Sequence, residues 1–212
     1  MKLFINEKSC EVNDDTQNNL KEIIASIEQS VLPEAHVITT IKLNGVILSL
    51  QDEKNIAAAY PFERIESLEI LTADPYDLML EGIENANDVL GDLVASTNQV
   101  IIYIRQGDIN QANILFQSCL EKMQWFNDIL SLTTKLANID YSQIIREDQS
   151  SVAGLNLRLL NVYGDIIDAQ KHNDWINLSD ILEYEFIGII KSWQEFIPEF
   201  LEYLKKHLGR TN

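Results

Sequence analysis

Basic residues and cysteines are scarce in this 212-residue chain. Sixteen lysines and arginines stand against 33 aspartates and glutamates, a formal charge of −17. DNA and RNA binding draws much of its affinity from cationic side chains that release counterions from phosphates, so nucleic acid is not expected as a partner. The two cysteines, Cys10 and Cys119, fall in segments assigned below to different domains. Neither a disulfide framework nor a thiolate zinc site can be built from them. Long apolar runs are also missing. Stretches such as Val100 to Ile104 fall far short of the ~20 residues of a membrane span, and the polar start with Asn6 and Glu7 has no apolar signal segment. A soluble, unexported protein of a reducing cytoplasm is expected, with no membrane insertion.

What is present divides at Asp74, where the hydrophobic period changes. Before it, Lys2–Ile5 and Ser9–Val12 read as a hairpin. A helix follows, capped by Thr16, with Leu20, Ile23, Ile24, Ile27 and Val31 at three- and four-residue steps until Pro33 stops it. Val37–Leu43, the Asn44-Gly45 turn and Val46–Leu50 form a second hairpin, and Ser67–Leu71 closes the set. This predicts a small mixed domain over residues 1–73.

The order hairpin, helix, hairpin-like pair and closing strand, with the Ile41-Lys42-Leu43-Asn44-Gly45-Val46 stretch and the Glu66–Thr72 ending, resembles the ubiquitin-like sulfur-carrier family. The resemblance implies a β-grasp. It also implies adenylation of a C-terminal Gly-Gly carboxylate, but here the strand runs into Leu71-Thr72-Ala73-Asp74 and the chain continues. Carrier chemistry is therefore not expected, and the remaining use of such a fold is a sheet surface that docks on a partner.

After Asp74 only helices are expected, over residues 74–208, with 209–212 as a disordered tail. Asp74 and Pro75 form a start signal, and Ile83, Ala86, Leu90, Leu93, Thr97, Ile101 and Ile104 make one core stripe to about Gln106. Gly107-Asp108 ends that helix and caps the next, whose core is Ala112, Phe116, Cys119, Met123, Phe126 and Leu130. A third helix, Ser151 to His172, presents Val152, Leu155, Leu159, Val162 and Ile166. Asn173-Asp174 repeats the stop-and-cap chemistry, and the fourth helix carries Trp175, Leu178, Leu182, Phe186, Ile189, Trp193, Phe196 and Phe200 with a bend at Pro198. The fold class is α+β, a β-grasp followed by an antiparallel four-helix bundle. Its long amphipathic helices are architecturally similar to those of bacterial flagellar export chaperones.

Constellations for chemistry are sparse. No Glu-x-x-His pair, nucleophile elbow, phosphate loop or dinucleotide fingerprint occurs. His172 and His207 sit at helix ends, and Cys119 falls mid-stripe. No catalytic residue, cofactor or metal is assigned. Glu185 lies near the bundle edge with Arg158 as a candidate partner. Asp77, Glu81, Glu84, Asp88 and Asp92 form an acidic stripe opposite the core face of the first long helix, with no lysine or arginine before Arg105. Ile114, Trp125 and Leu132 share the face of the second helix opposite its core, an apolar patch of the kind that marks an interface. The expectation is a non-enzymatic interaction module or adaptor with a protein partner, or a second copy of the chain in a homodimer. The alternatives are a chaperone of an export or flagellar-type client helix, and an enzyme with an unrecognised pocket.

Overall fold

The computed structural model describes residues 1–10, 19–30, 32, 36–48, 60–144 and 151–209. The expected roles of Val12, Thr16, Val31, Pro33, Leu50, residues 145–149 and tail residues 210–212 lie outside them. The chain forms two compact units, 1–78 and 79–212.

In the first unit, β1 (Lys2–Ile5), β2 (Lys8–Cys10), β3 (Val37–Leu43), β4 (Val46–Ile47) and β5 (Ser67–Ala73) make one sheet in the order β2-β1-β5-β3-β4. The central β1 and β5 run parallel, and the other pairs are antiparallel. This is β-grasp topology. Alternation along the strands sends Leu3, Ile5, Ile41, Leu43, Leu68 and Ile70 to one face. There they bury against Leu20, Ile23, Ile24 and Ile27 of helix α1 (Leu20–Ser30).

Asn44 holds this unit's long-range register. Its backbone adopts φ 49°, a left-handed conformation that asparagine tolerates. Its side-chain oxygen accepts from the backbone N–H groups of Glu66 (2.8 Å) and Ser67 (3.0 Å), and its amide donates to the Arg64 carbonyl (2.9 Å). One turn residue thus fixes where β5 begins.

The second unit is helical. Helix α2 (Pro75–Arg105) begins at Asp74, whose carboxylate accepts from the Tyr76 N–H at 2.8 Å. Gly107, at φ 78°, ends it. Asp108 caps α3 (Ile109–Ala137) through Gln111 N–H. Ser151 caps α4 (Val152–Lys171) through Gly154 N–H. Asn173, at φ 53°, and Asp174 then repeat the device before α5 (Trp175–Asp180). All residues named for the core stripes of the first three helices are buried. Helix α2 passes α3 closely at Gly82, where a Cβ would lie 2.6 Å from Ile129 Cδ1.

The fourth helix differs from expectation. Pro198 lies inside α6 (Ile187–His207) on its exposed side, and the helix continues through it. The irregularity falls instead at Ile181–Phe186, a π-helical segment between α5 and α6. The apolar spacing explains it. Leu178, Leu182 and Phe186 recur by fours, a step that overshoots one α-helical turn and drifts off the core face. The wider π turn absorbs that drift. Phe186 then reaches the core with Trp193, Phe196 and Phe200, all at most 1% exposed.

Replacing Asn44 by Ala should loosen the β5 register at a cost of about 1 to 2 kcal/mol, since two N–H groups lose their acceptor. Asn44→Gly restores the turn but not those bonds and should recover only part of the loss. Native-state hydrogen exchange at Leu68 and Ile70 reports the result; unchanged protection in Asn44→Ala would contradict the assignment.

Candidate functional site

The sheet is covered by α1 on one face, and its other face is the best-formed surface of the first unit. The register aligns Phe4 with Glu69, Glu69 with Lys42 and Lys42 with Ile47 across four strands. Residues paired directly across strands share a face, so these four form one row on the open side. Leu71 and Thr40 are paired beside it. Together they line a shallow groove of about 490 Å³ with Glu7 at its rim. Ile47 is 67% exposed and Leu71 45%. Lys42 Nζ and Glu69 Oε2 are 3.0 Å apart in its floor. That pair, about two-fifths exposed on both sides, adds little stability. Its effect is to neutralise the centre of an apolar strip. This row was not legible in the sequence, because its alignment needs the register.

The bundle carries a second groove, between α4 and the π segment with α6. It is also about 490 Å³ and includes Arg158, Asn161, Asp165, Tyr184, Glu185 and Ser192 in its lining. Arg158 and Glu185 both line it, but no ion pair joins them, and Glu185 is exposed. Glu185 is thus the solvated boundary glutamate rather than a partner of Arg158, and the π segment turns the neighbouring Glu183 to Arg105. The two make a bidentate contact, with Nη1 3.2 Å from Oε1, and Asp180 lies 3.9 Å from the same guanidinium. The Arg105 hydrogen bond holds the Glu183 carboxyl below the usual carboxylate range.

The expected site residues scatter. Asp77, Glu81, Glu84, Asp88 and Asp92 are all exposed along α2. Ile114 is 66% exposed and Leu132 38%. Trp125 is not free surface, because it is half-buried and packs on the bundle core; the expected three-residue apolar patch is corrected to Ile114 and Leu132. Cys119 is buried, and burial pushes its thiol pKa up. Burial likewise raises Tyr141 to about 12, with its hydroxyl donating to the Leu130 carbonyl at 2.8 Å. His172 and His207 donate to the carbonyls of Asp168 (2.8 Å) and Ala137 (3.1 Å). Among the described residues, no group of three or more histidine, cysteine, aspartate or glutamate side chains is placed to hold a metal ion. No helix among them is long and apolar enough to cross a membrane.

The geometry defines a two-part α+β protein, a β-grasp sheet with one open face followed by a helical bundle. Residues 81–196, more than half of the chain, match the family described as Domain of unknown function (DUF8042), and the chain belongs to that family. Residues 1–74 match the TP0873 N-terminal domain. No curated protein and no solved structure matches the chain.

The Arg105–Glu183 contact has a pH signature. A carboxylate whose folded pKa is lowered contributes stability above its ordinary pKa, and loses it as pH falls through the lowered value. In a carbon-13 titration Glu183 should therefore ionise below the ordinary glutamate range, and return toward it in Arg105→Gln. An ordinary value in the unaltered chain would show that the pair does not form in solution.

Proposed function

We propose that this protein is a non-enzymatic interaction module that docks protein partners on the open face of its N-terminal sheet, with the bundle surfaces adding further contacts. The observation that supports this most directly is the strip of Phe4, Ile47 and Leu71 around the neutralised Lys42–Glu69 pair. A sheet needs only one buried face to be stable, and exposed apolar area gathered on the other is the usual mark of an interface. The sheet order supports the likeness to ubiquitin-like sulfur carriers, but β5 ends at Ala73 and the chain passes into α2. No free carboxylate stands at that point to be adenylated, so docking is the part of the likeness carried over. We place the protein in the cytoplasm on its cysteine content, with no cofactor assigned.

A photo-crosslinking amino acid at Ile47, with Glu63 as an exposed control outside the groove, tests this reading in native cells. The Ile47 site should give defined protein adducts that Leu71→Glu abolishes and the control site lacks. Identical adducts from both sites, or none from Ile47, would refute it.

A further inference from the structure

Helix α4 carries two heptad seams. Val152, Leu155, Leu159, Val162, Ile166 and Ala169 recur by threes and fours and are buried in the bundle. Ala153, Leu157, Leu160, Gly164 and Ile167 recur by fours and threes on another side of the same helix. There Leu157, Leu160 and Ile167 are 59%, 51% and 49% exposed. One seam is enough to seat a helix in a bundle. A second with knobs-into-holes spacing, facing solvent, fits a further helix packing from outside. Gly164 adds a separate observation. Glycine is a poor residue for the middle of a helix, and a Cβ there would meet nothing within 4 Å, so the bundle gives no reason for it. A helix approaching from outside does.

We propose that the occupant is a second copy of this chain, its own α4 packed antiparallel across this seam about a two-fold axis near Val162. The seam is self-complementary about that point. Leu157 falls opposite Ile167 of the second copy, and Leu160 falls opposite its Gly164, so each leucine enters the notch left by a glycine. A parallel pair would set glycine against glycine and leave both notches empty.

Charge allows the same occupant. A chain of net charge −17 repels its own copies over most of its surface. Helix α4 is neutral, with Arg158 and Lys171 balancing Asp165 and Asp168, as are α3 and α6, whereas α2 carries the acidic stripe. The positions flanking the outer seam are Asn156, Asn161, Tyr163 and Gln170, all uncharged, and Asp168, whose carboxylate lies 3.5 Å from Lys171. A basic partner would find no attraction here and would be drawn to the acidic face of α2. A second copy finds no repulsion. This inference is independent of the sheet-face reading, which uses other residues.

Light scattering of the full chain during size exclusion, over a range of loading concentrations, tests it. A mass twice 24.2 kDa is expected, together with a rise of at least tenfold in dissociation constant for Leu160→Glu and for Gly164→Leu. Both positions are exposed, and leucine favours helix over glycine, so circular dichroism should show both variants folded. In a Cys10→Ser background, the double variant Leu160→Cys, Gly164→Cys should oxidise to a covalent dimer. A 24.2 kDa mass throughout, a dimer unaffected by both substitutions, or a dimer that the cysteine pair fails to lock would each overturn the proposal.

Discussion

The bundle depends on burial of the aromatic column along α6. Phe186, Trp193, Phe196 and Phe200 are among its largest fully buried side chains, each worth roughly 2 to 3 kcal/mol in removed apolar area. Their rings meet one another or the rings of other elements in edge-on, tilted or stacked contacts. Phe126 of α3 lies 5.3 Å from Trp193, and Tyr141 lies 5.9 Å from Phe200. The π segment is the backbone's adjustment to this demand. Without its wider turn, the four-residue steps from Leu178 to Phe186 would carry the ring of Phe186 off the core face. The same adjustment places Glu183 within reach of Arg105 and leaves Tyr184 exposed beside the α4 groove. A packing requirement in the interior thus decides the polar contacts at the surface.

The first unit follows a different constraint. Among the described residues one α-helix, α1, packs on the five-stranded sheet and covers one face, so half of the alternating side chains face outward. Polar residues would satisfy that requirement, and Thr40, Lys42 and Glu69 do. Phe4, Ile47 and Leu71 are not part of the unit's buried core, which includes Leu3, Ile5, Ile41, Leu43, Ile65, Leu68, Ile70 and the α1 residues. Their presence around an ion pair that cancels its own charge leaves a neutral, partly apolar strip on the open face. Helix α4 poses the same question in the bundle. Its inner seam satisfies the core, and its outer seam is surplus to it.

Local chemistry made much of this architecture readable from the chain. Asp108 and Asp174 as caps, Gly107 and Asn173 as left-handed stops, and the stripes on α2, α3 and α4 are properties of residues within a few positions of one another, and they recur in the structure as read. The π segment was not legible because it answers a drift that accumulates over a whole helix and is corrected only where the core requires it, whereas proline is a local signal. Trp125 was misjudged for a related reason. A helical wheel separates inside from outside by angle alone, and an indole is long enough to lean from the outer face onto the core.

Sequence by itself determined the fold class, the limits of α2, α3 and α4 and their apolar periods, because hydrophobic spacing and capping act within one element. Tertiary structure decided which groups meet. Arg105 and Glu183 are separated by 78 positions, and no spacing rule pairs them. The row from Phe4 to Ile47 exists only once four strands are in register. The two seams of α4 are equally regular in the sequence, and only the packing of the other helices chose which one the core would take.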